Sequence, residues 1–134
     1  MSHSPLSLAA ESLRKQIKDI VAEATPKPSQ SQHTDSTIFE EDKNGNKVYD
    51  GMFLDKKVTE LIKEMELGDG LGWSLAYFAQ PRLISNKFGR MWLVPLSEKA
   101  IITPGIALKE GFCTLIKDHP TLSLGSTVIF IAPK

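Results

Sequence analysis

Apolar positions along the first 24 residues recur at the spacing of a helix. Leu6, Ala10, Leu13, Ile17, Ile20 and Ala24 follow one another at intervals of 4, 3, 4, 3 and 4, the narrow seam of a coiled-coil helix. Ser4 and Pro5 stand where a cap and a first helical residue are wanted. The residue before Pro26 is pushed out of helical geometry, which ends the element. Residues 1–24 therefore read as an amphipathic association helix, with Leu6, Leu13, Ile17 and Ile20 as its contact seam. Residues 25–36, TPKPSQSQHTDS, carry two prolines and no large apolar side chain, the composition of a flexible linker.

The pattern then shortens. Ile38-Phe39 and Val48-Tyr49 flank Asn44-Gly45, a hairpin signal because both turn residues tolerate positive φ. Asp42, Asn44, Asn46 and Asp50 alternate as a calcium loop would, but Lys47 and Phe53 stand where such a loop needs Gly and a bidentate Glu. From Leu54 to Leu67 the period returns to 3.6, with Leu54, Val58, Leu61, Ile62 and Met65 on one face, Asp55 as cap and Gly68 beyond the end.

From Gly72 onward, β-branched and aromatic residues alternate between regularly spaced Gly and Pro. Gly72 to Leu96 reads as strand, turn, strand and holds both tryptophans, so the core is expected there. In residues 103–119, Lys109-Glu110-Gly111 reads as the turn of a hairpin between Ile106–Leu108 and Phe112–Ile116, with a helix as the alternative. Ser126 to Ala132, STVIFIA, is a strand buried on both faces. The fold class is α+β: an N-terminal helix and linker, then a domain over 37–134 with one helix packed on a small antiparallel sheet or barrel.

Composition adds bounds. The 134 residues carry 16 Lys/Arg and 16 Asp/Glu, and a neutral chain is no dedicated polyanion binder, though it can hold a local basic patch. Residues 1–66 have nine basic and twelve acidic side chains, residues 67–134 seven and four, so the cationic excess lies in the β-rich half. The one cysteine, Cys113, excludes an intramolecular disulfide and multi-cysteine metal sites. No apolar run has the length of a membrane helix and no signal-peptide pattern is present, so no membrane partner is expected and a cytoplasmic or virion-associated protein is.

Candidate chemistry is sparse. Cys113 and His119 are the one nucleophile–base pairing, and a cysteine between Phe112 and Leu115 reads instead as a small buried apolar residue. The three histidines and one cysteine offer no metal-ligand spacing, and no cofactor motif is found. Arg82, Lys87 and Arg90 surround Phe88 at an expected turn, the mixture of cations and ring that grips single-stranded nucleic acid. The reading is a non-enzymatic interaction or assembly module, a homo-oligomer or partner-docking protein acting through its first helix. The alternative is a nucleic-acid-binding accessory protein using Arg82, Lys87, Phe88 and Arg90.

Overall fold

A computed structural model describes residues 2–27 and 37–134. It is mixed α+β, as the pattern implies: two helices and, mostly, antiparallel sheet. The strand that organises it is β12 (Ser126–Pro133), which lies between β5 (Leu71–Phe78) and β7 (Met91–Pro95). Its side chains alternate. Ile129 and Ile131 enter one core with Leu75 and Val94, while Val128 and Phe130 enter a second with Ala76 and Leu93. A continuous apolar run is what a strand covered on both faces requires.

The large sheet extends both ways from this centre. Beyond β7 come β10 (Phe112–Ile116) and the N-terminal β1 (Ser2–Pro5); beyond β5 come β4 (Lys47–Asp50), β3 (Ile38–Glu41) and β2 (Thr25–Pro26). All pairs are antiparallel except β2 with β3. The helices α1 (Leu8–Ala22) and α2 (Met52–Glu64) cover one face. A small sheet of β6 (Arg82–Leu83), β11 (Thr121–Leu122), β8 (Ala100–Ile102) and β9 (Ile106–Leu108) covers the other through Ile102, Leu108 and Leu122. The result is three layers: helices, large sheet, small sheet.

Several expectations are corrected. Ser4 and Pro5 do not start the helix: they form β1, paired with Cys113 and Phe112, and Ser7 caps α1 by accepting from the Ala10 N–H. The first helix is not a separate element on a leash. Ile17 has no exposed surface, and Leu6, Leu13 and Ile20 pack against the same core, together with Leu54, Val58 and Leu61 of α2. Of the expected linker, residues 28–36 lie outside the described residues; Thr25 and Lys27 donate backbone hydrogen bonds to Thr37 and Phe39. Within Gly72 to Leu96 the two strands never pair, because β12 inserts between them. Strands β9 and β10 exist, but the Lys109–Gly111 turn joins different sheets rather than closing a hairpin. Helix α2 begins at Gly51 without a side-chain cap, and Asp55 accepts instead from the Trp73 indole N–H at 2.8 Å. The β3–β4 hairpin stands as read, with Gly45 at φ 86° and Asp42 accepting from the backbone N–H groups of Asn44 and Asn46.

The buried stripe of α1 is Ala10, Arg14, Ile17 and Val21, so a cation sits mid-face, 5% exposed. Its guanidinium binds Glu11, one turn back, and donates at 2.8 Å to Glu110 in the β9–β10 turn, where Lys18 joins it at 2.7 Å. Burial acts to lower the Arg14 pKa, but bonds to the two carboxylates outweigh it and raise it. For Glu110 burial acts upward, and hydrogen bonds from Lys18 and Arg14 hold the carboxyl below its usual range. Gly111 fits this corner alone: its φ is +90°, and a Cβ there would meet Glu11 Oε2 at 2.9 Å.

Two outcomes follow from this packing. Ile17→Ala removes a fully buried side chain from both helix–helix and helix–sheet contacts, and should lower stability by about 3 kcal/mol in urea unfolding. Because the Glu110 pKa is depressed on folding, its contribution is present above the ordinary value of 4.5 and is lost as pH falls through the lower folded value. The stability gap between wild type and Glu110→Gln should therefore be widest near neutrality and narrow steadily in acid; a gap independent of pH would show the carboxylate to be idle.

Candidate functional site

The expected cationic turn is built by one buried amide. Asn86, 2% exposed, donates through Nδ2 to the carbonyls of Ile116 and Asp118, each at 3.1 Å, and its backbone N–H donates to Nδ1 of His119 at 2.9 Å. Ile84 adds a backbone bond to Pro120 at 2.8 Å. The segment after β6 is thereby laced to the segment after β10. The chain then reverses through a turn closed from Gly89 N–H to Asn86 carbonyl, with Gly89 at φ 65°.

This lacing leaves Lys87, Phe88 and Arg90 together on the surface, with Phe88 51% exposed. The Lys87 ammonium lies 5.4 Å from the Phe88 ring, and the Arg90 guanidinium 5.3 Å from the Trp92 ring. Arg82 is exposed one strand away, stacked at 5.8 Å on Phe78. It also faces Asp42, whose carboxyl is held below its usual range first by the Asn46 side chain and, further down, by Arg82. Three of the four expected residues thus share one turn, and Arg82 flanks it. Lys117, exposed on the strand end that Asn86 ties down, joins them; the sequence pattern did not single it out. Its only signal is that it continues the alternation of Cys113 and Leu115, and which strand lies beside it is a matter of topology.

Next to this end is a slot of about 380 Å³, where the helices stop short of covering the large sheet. Its floor follows the register: Ser2 opposite Leu115 and Leu115 opposite Trp92, with Ser4 opposite Cys113 one row further in. The end of α2 and the turn that follows it form a wall through Met65 and Leu67, with the exposed Glu64 and Glu66 beside them. None of this was visible as a motif, since its residues come from five separate stretches.

The other expected seam is accounted for elsewhere. Ile17 is wholly inside the helix–sheet core, and Leu6, Leu13 and Ile20 are half-buried against it. Cys113 and His119 do not meet as a catalytic pair: His119 Nδ1 accepts the Asn86 backbone N–H, and Cys113 lies buried in β10. Among the described residues no group of three or more His, Cys, Asp or Glu side chains is placed to hold a metal, and no helix is long and apolar enough to cross a membrane.

Comparison with protein-family models, with curated proteins and with solved structures finds no match to this chain.

Burial pushes the Cys113 thiol up to about 12. At pH 8 only about one thiol in ten thousand is then ionised, and the thiolate is the reacting species. Iodoacetamide should leave Cys113 unmodified in the native protein over a period that suffices for full labelling in urea, and rapid native labelling would contradict the burial.

Proposed function

We propose that this protein is a non-enzymatic binding module that grips single-stranded nucleic acid through the cationic end formed by Lys87, Phe88, Arg90 and Lys117. The observation that supports it is the coincidence of exposed cations and an exposed ring on a turn fastened by Asn86. A flexible polyanion meets such a surface with its phosphates on the cations and its bases on the ring, and every base has a face to stack. The cations sit over aromatic rings, an arrangement that orients them without drawing them into ion pairs. A chain neutral overall then binds through a local field rather than its net charge.

Self-association or docking through Leu6, Leu13, Ile17 and Ile20 is the weaker reading, since α1 would have to leave the core to present them. A reducing setting, cytoplasm or virion, suits a lone unpaired cysteine.

The test is fluorescence anisotropy with a labelled single-stranded oligonucleotide across a salt series. Neutralising about three to four phosphates should make log affinity fall with log salt at a slope of roughly −2 to −3. Lys87→Ala and Arg90→Ala should each reduce that slope by about 0.7. Phe88→Ala should weaken binding by about 1–3 kcal/mol at any salt. Binding absent at low salt, or confined to anionic lipid vesicles, would remove the proposal.

A further inference from the structure

The slot beside the cationic end carries a second step, which rests on the nucleic-acid reading. We infer that it seats one unstacked base of the bound strand, and that the base it favours presents two adjacent hydrogen-bond donors, as guanine does.

Four observations converge. The first is size, since about 380 Å³ lies within the range of small-ligand pockets and exceeds what one planar base needs. The second is the floor, where the half-buried Trp92 and Leu115 are cross-strand neighbours and form an aromatic-aliphatic surface for stacking.

The third is continuity. Arg90 immediately precedes β7, whose second residue is Trp92, and its guanidinium lies 5.3 Å from the indole ring. A strand whose phosphates run over Lys87, Arg90 and Lys117 has its next base within reach of Trp92. In a single strand, moving that base out of its stack opposes binding only weakly, because no partner strand has to be displaced.

The fourth is the chemistry of the wall. Glu64 and Glu66 border the slot and take part in no ion pair among the described residues. The C-terminal end of the α2 dipole lies beside them and is of the same sign. This wall repels phosphate and accepts hydrogen bonds. Guanine offers N1–H and N2–H side by side, and a carboxylate takes both at once. Thymine offers one donor between two carbonyls, which face the carboxylate unfavourably. The cations thus hold the backbone while the acidic wall sorts the base, so affinity and selectivity have separate seats.

The experiment compares two labelled ten-nucleotide single strands at one low salt concentration: all-thymidine, and the same strand with one central guanosine. The full chain is expected to bind the guanosine strand about tenfold more tightly, the discrimination one good bidentate contact supplies. The surface double variant Glu64→Gln/Glu66→Gln should bring the ratio to about one while all-thymidine binding persists. Trp92→Leu should also collapse the ratio, with circular dichroism confirming the fold. Equal binding of the two strands by the wild type, or a ratio that survives the double glutamine variant, overturns the slot assignment and leaves the cationic grip standing. Failure of both strands to bind overturns both.

Discussion

Strand β12 must be dry on both faces, and much of the molecule follows from that. Its inner row of Ile129 and Ile131 requires a helical layer, and its outer row of Val128 and Phe130 requires a second sheet. At roughly 25 cal/mol per Å² of apolar surface, leaving either row in water would forfeit several kcal/mol, comparable to the whole stability of a domain this size. The two neighbours on which β12 depends, β5 and β7, carry the same alternation, so each strand divides its side chains between two cores. Cationic turn and slot both lie where this layering runs out: the turn where the strands end, the slot where the helices do.

The helical layer is fastened by charge as well as by packing. Arg14 sits among apolar neighbours because Glu11, one turn back on α1, and Glu110, in the distant β9–β10 turn, neutralise it. A buried cation of this kind adds little net stability over an apolar residue, but losing one of its partners is strongly unfavourable. The arrangement is better understood as a register pin: it sets where α1 lies against the β9–β10 turn, whose backbone at Gly111 takes the positive φ that favours glycine. The N-terminal stretch is integral to the domain for the same reason, with β1 closing one edge of the sheet and His3 bonded to Thr114, 111 residues away in sequence.

What could be read in the sequence was periodic and local. The α2 face, the Asn44-Gly45 hairpin and the doubly buried run of β12 were legible because each is written in consecutive residues. The first helix was legible as a helix but not in its role: a seam of Leu13, Ile17 and Ile20 looks alike whether a second copy or the chain's own sheet lies against it. Strand partners were not legible either. Nothing within residues 72–96 states that β12 will enter between β5 and β7. Of the candidate site, Lys87, Phe88 and Arg90 were visible because they are neighbours in the chain. Lys117 and the acidic wall of the slot were not, because only Asn86 and the meeting of helix with sheet bring them near.

The central position of β12 also imposes an order in time. β5 and β7 are synthesised well before the strand that joins them, and 30 residues lie between Pro95 and Ser126. At about 5–20 residues per second the ribosome takes a few seconds to cover that interval. Until then both strands offer apolar, unpaired edges toward each other's empty place, the kind of surface that recruits foreign strands. The intervening sequence builds the β8–β9 hairpin, which closes locally and needs no distant partner. The nascent chain can thus assemble part of its outer layer first, and is most exposed to aggregation in the interval before its last described strand arrives.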